Sequence, residues 1–378
     1  MAPPGATSAG GRTTLPGWHA AAESILASWT SNGGSLRRLT ESEEQAVLHW
    51  DDCAGGAIPN RAALSDRRIP ERLLIPWASV IMLPEVPTAG RCPQLAALAE
   101  LSTNSVVAIG YDAIPIVSAD LRPPNEPDLF VKYLNVLKHS SRVAGISFAA
   151  SEEFRGFSES LQSQGIEGPL VIEVPLAHQE IGQDVSGGTG LGAAGAHRPL
   201  VLCIGRQDLH KNHLAVMHAA ERLWREGLAF QLTFIGRHGW DMGALEEVVR
   251  RLQAEGRPLS VTREMGDDEL RRAYQRARFA IFPSLHEGYG LPVSEALSAG
   301  TPVITSNFGS MQEIARNGGC LLVDPHADEG SGEALRSLLT EDSLLSDLQH
   351  QARNQTSRSW ETYAADLWEA LVAPELAS

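Results

Sequence analysis

Cysteine and basic residues are both scarce in this sequence. Its 378 residues include only 4 cysteines, which are widely spaced and form no C-x-x-C pair: Cys53, Cys92, Cys203 and Cys320. This argues against a disulfide scaffold or a cysteine zinc site, and reduced thiols packed inside a cytoplasmic protein are expected. The 31 lysines and arginines are outnumbered by 46 acidic residues, which gives a formal net charge of −15. This charge argues against a nucleic-acid binder, because neutralising phosphates requires clustered cations.

Long apolar runs are also absent. The longest, from Leu73 to Pro84, is too short to span a bilayer, and the amino terminus lacks a charged region followed by an apolar one. The sequence therefore predicts no transmembrane segment and no export signal. The negative net charge weakens the case for an anionic membrane surface, although peripheral membrane contact through a local basic face stays open.

The length suits two domains with sizeable cores, since 43% of the residues are hydrophobic. Residues 1–16 are mainly Pro, Gly, Ala, Ser and Thr, which bury too little apolar surface to offset the entropy of ordering. Residues 181–199 have the composition of an interdomain linker. We predict five segments: a disordered tail (1–16), a first domain with an atypical start (17–180), a Gly-rich linker (181–199), a second domain (200–358), and a last helix with a tail (359–378).

Strand and helix patterns alternate on both sides of the linker, as is typical of parallel sheets with helices on both faces. The predicted strands are 73–83, 105–109, 143–148, 170–174, 200–204, 230–235, 259–262, 279–283 and 302–305. The predicted helices are 20–29, 42–50, 94–101, 128–138, 152–161, 212–226, 242–254, 267–277, a short one opened by Pro292, and 360–371. The last helix has one apolar face and could pack on either domain.

The linker contains a formal match to the G-x-G-x-x-G dinucleotide fingerprint, at Gly190, Gly192 and Gly195. The fingerprint requires a strand directly before it and a helix that opens within it. Here the preceding strand is distant, and the next predicted element is another strand. We therefore interpret the match as linker composition rather than as a cofactor site.

The stretch from Ile281 to Glu313 combines a strand, a loop and a short helix. Pro292 suits the first helical position because its φ is already helical, and the two residues before it have no side chain that could cap the helix. The free N–H groups of the first turn therefore favour an anionic ligand. Glu287 and Glu295 can both face the crevice where open α/β sheets bind ligands. Taken singly, each could be a solvated residue or a partner of the helix dipole.

Two cations are predicted at the same crevice. Arg206 follows Gly205 at the end of the first strand after the linker, and Lys211 and Asn212 lie at the start of the next helix. Cations beside helix N–H groups provide the charge and the directional donors that a diphosphate requires. An isolated pair would more simply be solvated surface charges, but the acidic stretch predicts an anion in the same place.

No divalent-metal site is predicted. The sequence contains no D-x-D motif, and the two cations could take the place of a metal beside a diphosphate. His210 and His213 have the spacing of half a metal site, but partner ligands are not evident, so a structural or solvated role is expected.

These segments carry a resemblance to a known family. The acidic stretch, HEGYGLPVSEALSAGTPVITSN, resembles the E-x7-E signature of the retaining, metal-independent GT-B glycosyltransferases of family 4, also called group 1. The cationic segment, LCIGRQDLHKNH, resembles the G-R...K-N motif of that family. The segment from Gly236 to Trp240 resembles G-K-R-G-W, which is common among the mannosyltransferase-like members. In the first domain, YDAIPI resembles the family's H-D-x-I-P motif, so that Asp112 matches its Asp.

The resemblance implies an α/β fold of GT-B architecture, in which two Rossmann-like domains face a cleft. The acceptor would bind the N-terminal domain, and the nucleotide sugar, GDP-mannose or a UDP-sugar, would bind the C-terminal one without a cofactor. The diphosphate would lie on the cations, the ribose on Glu295, the sugar on Glu287 and the following backbone, and the base beside residues 263–266. The implied catalytic residues are Arg206, Lys211, Glu287 and Asp112. The implied donor-binding residues are Gly205, Arg206, Lys211, Asn212, Arg263, Met265, Glu287, Gly288, Tyr289, Gly290, Leu291 and Glu295.

The implied activity is transfer of a hexose, with mannose favoured, to a polysaccharide or lipid-linked glycan. Two departures from the family leave alternatives open. Tyr111 stands where the family has His, and residues 1–70 show no opening strand followed by a Gly-rich loop. A non-catalytic nucleotide-sugar-binding subunit is therefore an alternative, and a GT-B epimerase or phosphorylase is a further one. The acceptor, the linkage and the oligomeric state are not determined by these patterns.

Overall fold

Two parallel sheets form the framework of the protein. The computed structural model describes residues 76–177, 198–240, 243–327, 329–355 and 358–377. The predicted tail, the helices predicted at 20–29 and 42–50, and the glycines of the G-x-G-x-x-G match lie outside the described residues. So do the first residues of the strand predicted from Leu73 and most of the predicted linker.

The amino-terminal domain is built on a four-stranded parallel sheet in the order β1-β2-β3-β4. Its strands are β1 (Val80–Leu83), β2 (Ser105–Gly110), β3 (Arg142–Gly145) and β4 (Leu170–Glu173). Its helices are α1 (Cys92–Leu101), α2 (Ile114–Val117), α3 (Glu126–Leu137) and α4 (Phe148–Gln162), with a 3-10 turn at Ala119–Leu121. In β2 the residues from Val106 onward are all buried, as expected of a strand covered on both faces.

The carboxyl-terminal domain is built on a six-stranded parallel sheet in the order β10-β9-β8-β5-β6-β7. Its strands are β5 (Leu200–Ile204), β6 (Gln231–Ile235), β7 (Leu259–Thr262), β8 (Phe279–Phe282), β9 (Val303–Ser306) and β10 (Cys320–Val323). Its helices are α5 (His213–Arg225), α6 (Gly243–Ala254), α7 (Asp267–Arg276), α8 (Leu291–Ser298), α9 (Gly309–Ala315), α10 (Gly330–Thr340) and α11 (Asp342–Arg353), with a 3-10 turn at Leu209–Lys211.

The direction of winding in this second sheet reverses between β5 and β8. Chain order runs outward from β5 through β6 to β7, and then outward from β8 through β9 to β10. Successive residues of β5 point to opposite faces: Val201 and Cys203 pack in one core cluster, and Leu202 and Ile204 pack in the other. The carboxyl ends of β5 and β8 therefore flank the switch point at which open α/β sheets bind ligands.

The carboxyl-terminal helix returns to the amino-terminal domain. It runs as α12 (Trp360–Leu367), a π-helical turn (Trp368–Val372) and α13 (Ala373–Ala377). Its apolar face packs in one cluster with β2 and β3, through Tyr363, Leu367, Leu371 and Val372. The sequence did not predict which domain this helix packs on, because an apolar stripe shows that a helix packs but does not identify its partner.

One boundary in the first domain was predicted wrongly. The expected strand 143–148 ends at Gly145, and Phe148 instead begins α4. The reason is a cap: the Ser147 hydroxyl accepts a hydrogen bond from the Ala150 N–H, at 3.0 Å. Here a local capping interaction takes precedence over the apolar pattern.

The described cysteines, Cys92, Cys203 and Cys320, are all free, and the first two are buried, in agreement with the expected packing role. Within the described residues, no helix is both long enough and apolar enough to cross a membrane.

Gly236, the residue after β6, permits a close backbone approach. A Cβ atom at this position would lie 2.0 Å from the carbonyl oxygen of Gly205. We expect Gly236→Ala to lower the free energy of unfolding by roughly 2 kcal/mol or more, because backbone would have to move. Denaturant unfolding measures the change.

Gly156 provides the matched control, because it lies within α4 with open space around it. We expect Gly156→Ala to raise the free energy of unfolding by about 0.5 kcal/mol or more, through helix propensity. Equal effects of the two substitutions would contradict the close approach at Gly236.

Candidate functional site

The loops that follow β5 and β6 form one unit at the switch point. A backbone bridge joins Gln207 to His238, and the Gln207 N–H donates to the Arg237 carbonyl oxygen at 2.9 Å. Gly205 and Gly236 both have positive φ, at 140° and 154°. This geometry turns the two Gly-Arg pairs, 205–206 and 236–237, into the same depression.

That depression has a volume of about 370 Å³, which is within the range of small-molecule sites. Three arginines, one carboxylate and an apolar floor surround it. Its lining residues are Ile204, Gly205, Arg206, Ile235, Gly236, Arg237, Arg263, Glu264 and Met265. A charged ligand with an apolar or planar end fits this composition.

Arg206 is held at the rim of the depression by Asp208. Its Nε donates to Asp208 Oδ2 at 2.6 Å, and its side chain is 55% exposed. Burial alone would raise the pKa of Asp208, but the hydrogen bond and the charge of Arg206 lower it overall. The ionised carboxylate therefore anchors one edge of the guanidinium group, and the terminal nitrogens can face a ligand.

Lys211 and Glu287 form an ion pair between the loops after β5 and β8. The two side chains are only 15% and 9% exposed, and the ammonium group also lies 5.2 Å from the centre of the Phe282 ring. The sequence predicted Lys211 at the start of the following helix. Its backbone belongs instead to the 3-10 turn that precedes the helix. Asn212 has φ of 58°, and its side-chain amide donates to the Pro325 carbonyl oxygen at 3.0 Å.

The short helix α8 begins as the sequence predicts. Leu291 and Pro292 open it, Gly290 precedes it with φ of 108°, and no side chain caps it. Gly300, with φ of 77°, forms the turn that follows its end. Pro292 has no N–H, and the N–H groups of Val293 and Ser294 donate to the Gly290 carbonyl oxygen at 2.9 and 3.3 Å, so the first turn offers the Leu291 N–H at the end of β8.

Glu295 lies in α8 and is half-buried. Its Oε2 accepts a hydrogen bond from the Tyr274 hydroxyl at 3.0 Å. Burial raises the pKa of Glu295, the hydrogen bond lowers it in part, and the charge of Asp267 raises it again. Tyr274 packs in the same apolar cluster as Ile204, Ile235 and Met265, which line the depression.

Polar contacts cross the cleft between the domains. His286 Nε2 contacts Glu153 Oε1 at 2.5 Å, and His286 Nδ1 contacts Ser118 Oγ at 2.7 Å. Burial alone would lower the pKa of His286, but the hydrogen bond and charge of Glu153, with Asp112 and Glu287, raise it overall. This raised pKa favours an imidazolium that faces carboxylates from both domains.

A second crossing contact involves Arg122. It pairs with Glu126 in its own domain, and its Nη1 lies 3.5 Å from Asp208 Oδ2 and 3.3 Å from His210 Nδ1. Burial and the cations around His210 lower its pKa to about 3. The Nδ1 atom of a neutral His210 can therefore accept a hydrogen bond from the guanidinium group.

The backbone also closes the cleft. The Ser147 hydroxyl donates to the Gly288 carbonyl oxygen at 2.7 Å. Glu313 of α9 accepts from the N–H groups of Phe148 and Ala149, at 2.9 and 2.8 Å. A Cβ atom on Gly288 would lie 2.3 Å from the Tyr111 carbonyl oxygen. The loop after β8 is therefore in direct contact with the first domain.

Asp112 lies in this contact region, whereas the Tyr111 hydroxyl is engaged elsewhere. Burial raises the pKa of Asp112, the Ile114 N–H lowers it in part, and Glu153 raises it further. The Tyr111 hydroxyl donates to the Pro84 carbonyl oxygen at 2.6 Å. The Tyr111 hydroxyl is therefore bonded to the backbone after β1, whereas the Asp112 side chain lies beside Gly288 of the opposite domain.

No group of three or more His, Cys, Asp or Glu side chains suited to a metal ion occurs within the described residues. His210 and His213 are both buried, and burial lowers the pKa of His213 to about 4. His213 lies 5.4 Å from the Phe234 ring. Of the two roles expected for these histidines, structural or solvated, these contacts favour the structural one.

The carboxyl-terminal domain matches a known protein family. The model of the family described as glycosyl transferases group 1 matches residues 193–355. This segment belongs to the group 1 glycosyltransferases. It contains both the cationic and the acidic motif, and the predicted membership is therefore confirmed for the carboxyl-terminal domain.

Curated relatives match the same glycosyltransferase domain. The serotype-specific mannosyltransferase WbdA of Escherichia coli is 34% identical over 142 residues, which are 38% of this chain and 16% of that protein. The O-antigen chain mannosyltransferase B of Escherichia coli is 35% identical over 142 residues, or 36% of each protein. The matches thus span well under half of either relative.

Solved structures match over both domains. A sucrose-phosphate synthase from Thermosynechococcus elongatus superimposes with a TM-score of 0.61 at 18% identity, over 79% of this chain and 74% of that one. Together with the two parallel sheets, this likeness confirms the predicted GT-B fold.

The fold gathers the predicted site residues of the glycosyltransferase domain at the ends of β5 to β8. Arg206, Arg263 and Met265 line the depression, and Lys211 contacts Glu287. The sequence reading missed Asp208, Tyr274, His286, Glu153 and Arg122. Asp208 and His286 lie inside the recognised motifs and could have been singled out there. Tyr274, Glu153 and Arg122 belong to no recognised motif, and only the folded structure shows their contacts with Glu295, His286 and Asp208.

The contact between His286 and Glu153 predicts a pH-dependent stability. Because the folded-state pKa of His286 is raised, its contribution is complete below the unfolded pKa of about 6.5 and is lost as the pH rises through the folded value. We expect His286→Gln to cost roughly 1 kcal/mol at pH 5.5 and less at pH 8.5. Denaturant unfolding at both pH values measures this, with the exposed His350→Gln as control. A cost that grows with pH would contradict the contact.

Proposed function

We propose that the protein is a retaining glycosyltransferase that moves a hexose, with mannose favoured, from a nucleoside-diphosphate sugar to a glycan. The observation that carries the proposal is the placing of Arg206, Lys211 and Glu287 around the switch point of the second sheet, with Glu295 in the helix that follows β8. The mannosyltransferase relatives support mannose, with GDP-mannose as the favoured donor and a UDP-sugar as the alternative. Their names also support a polysaccharide or lipid-linked glycan as acceptor.

The charges suit a departing diphosphate. When the bond between the anomeric carbon and the diphosphate oxygen breaks, positive charge grows on the sugar and negative charge grows on the leaving oxygen. Arg206 and Lys211 would stabilise the negative charge electrostatically in a preorganised site. The Leu291 N–H at the start of α8 would add a directional donor.

The carboxylates suit the other parts of the donor. Glu287 is held by Lys211 and would accept hydrogen bonds from the sugar, with the backbone from Gly288 to Leu291 beside it. Glu295 would accept from the ribose. The depression beyond it, with Arg263 and Met265, would take the base. Asp112 faces the same region from the acceptor domain.

In a retaining transfer, the bond from the anomeric carbon to the diphosphate oxygen breaks, the acceptor oxygen bonds to that carbon on the same face, and the acceptor proton passes to the departing diphosphate. We propose that no metal ion takes part, because two side-chain cations already face the leaving group. The anomeric configuration of the product, read by proton NMR, tests retention.

Tyr111 favours the alternative of a non-catalytic nucleotide-sugar-binding subunit. It stands where the family has His, and its hydroxyl is bonded to the Pro84 carbonyl oxygen. This alternative shares the donor site and differs in turnover. Donor binding without transfer to any acceptor, unless a partner chain is added, would favour it. Epimerisation of a sugar that stays on its nucleotide, or phosphate-dependent cleavage, would favour the remaining alternative.

A nucleoside diphosphate should stabilise the protein. At a ligand concentration of about a hundred times the dissociation constant, the gain is roughly 2.7 kcal/mol. We expect one of GDP, UDP and ADP to raise the melting temperature well above the other two, which would identify the base. The absence of a shift with all three nucleotides and with their sugars would count against the donor site.

Lys211→Met tests the role of the ammonium group, since Met retains much of the side-chain volume. We expect transfer to fall at least about a hundredfold, because a charge that stabilises the leaving group is lost. Initial rates measured with and without EDTA give the size of this loss and test metal independence at the same time.

The exposed Lys132→Met is the matched control, and we expect it to transfer normally. Circular dichroism and denaturant unfolding show whether Lys211→Met has kept its fold, because it leaves Glu287 unpaired. A folded Lys211→Met protein with normal turnover would refute the assignment.

A further inference from the structure

Tyr274 is a buried phenol outside the recognised motifs. Its side chain is fully buried, and its hydroxyl lies 3.0 Å from Glu295 Oε2 and 3.3 Å from the Pro292 carbonyl oxygen. A hydroxyl has one proton to donate, and the carboxylate is both nearer and the stronger acceptor. The geometry therefore favours donation to Glu295.

The phenol is fixed independently of Glu295. It packs in the apolar cluster that includes Ile204, Ile235 and Val293, and the Thr301 hydroxyl donates to the Tyr274 carbonyl oxygen at 2.7 Å. Removing the hydroxyl should therefore free the carboxylate without moving α7. Because Oε2 is occupied, Oε1 is the oxygen left for another donor.

Two titratable groups on α7, Tyr274 and Asp267, influence Glu295. Burial raises the pKa of Glu295, the Tyr274 hydroxyl lowers it, and the Asp267 charge raises it. A hydrogen bond to the ionised form favours that form. Loss of the phenolic hydroxyl would therefore raise the pKa of Glu295 further.

We propose that Tyr274 is a positioning residue for the nucleotide ribose: it holds the Glu295 carboxylate in the orientation in which its second oxygen accepts a ribose hydroxyl. This inference rests on the proposed donor site and names a residue that acts through another. Tyr274 does not touch the nucleotide. Its effect should consequently appear only where a ribose hydroxyl is present.

The test compares the wild-type protein with Tyr274→Phe by titration calorimetry. The probes are GDP, UDP and ADP, followed by the 2′,3′-dideoxy counterpart of whichever binds most tightly. We expect wild type to prefer the ribonucleotide, and Tyr274→Phe to lose roughly tenfold in affinity for it. Affinity for the dideoxy nucleotide should be nearly the same in both proteins.

A pH series supplies a readout that a purely structural role would not move. Binding to the ribose requires ionised Glu295, so affinity falls as the pH drops through the pKa of that carboxyl. In Tyr274→Phe this fall should begin at a higher pH than in wild type. Ionisation of the nucleotide phosphates is common to both proteins and cancels in the comparison.

Tyr363→Phe is the matched control, because the Tyr363 hydroxyl is buried and has no hydrogen-bond partner among the described residues. It should bind both nucleotides like wild type. Glu295→Gln should lose the preference for the ribonucleotide whatever residue stands at 274.

The outcomes separate the two proposals. If no nucleotide binds to wild type, the proposed donor site fails. If wild type binds without distinguishing ribose from dideoxyribose, or if Tyr274→Phe matches wild type in both preference and pH dependence, the positioning role is wrong and the donor site stands.

Discussion

The ion pair of Lys211 with Glu287 is the contact about which the cleft is arranged. It joins the two loops that flank the reversal of strand order, and both side chains are largely removed from water. Desolvating two charges costs several kcal/mol, so a buried pair of this kind is weak support for stability. The pair does hold an ammonium group and a carboxylate in fixed positions at the switch point. In the proposed complex, the anion and the sugar hydroxyls of the donor would bind the cation and the carboxylate that here bind each other.

The first domain completes this arrangement through charges of its own. Arg122 reaches Asp208, which also holds Arg206, and Glu153 reaches His286, the residue before Glu287. Each contact thus ends on the neighbour of a proposed donor-binding residue. Opening the cleft would remove partners from the donor site as well as exposing it. The structure therefore links the geometry of the phosphate and sugar positions to the closure of the two domains.

The sequence predicted what depends on local pattern, and it failed where partners are distant in the chain. The start of α8 was predictable, because Pro292 and the absence of a cap are properties of consecutive residues. The boundary at Phe148 is an exception: the hydrogen bond from Ala150 to Ser147 that decides it is local, but the apolar run across it predicted a strand. The carboxylates of Glu153 and Glu313 could not be placed from sequence at all. Each acts on a group more than a hundred residues away, and each lies in an ordinary helix.

Tyr111 shows how far the family pattern can be carried into the first domain. Its hydroxyl is engaged with the end of β1, so the substitution of His by Tyr ties the loop to the sheet rather than supplying a group to the cleft. The imidazole that interacts electrostatically with Asp112 is that of His286, which belongs to the opposite domain and has a raised pKa. Its two nitrogens are already bonded to Glu153 and Ser118. In the closed cleft His286 therefore orients carboxylates from both domains, and its charge also acts on the buried carboxyl of Asp112.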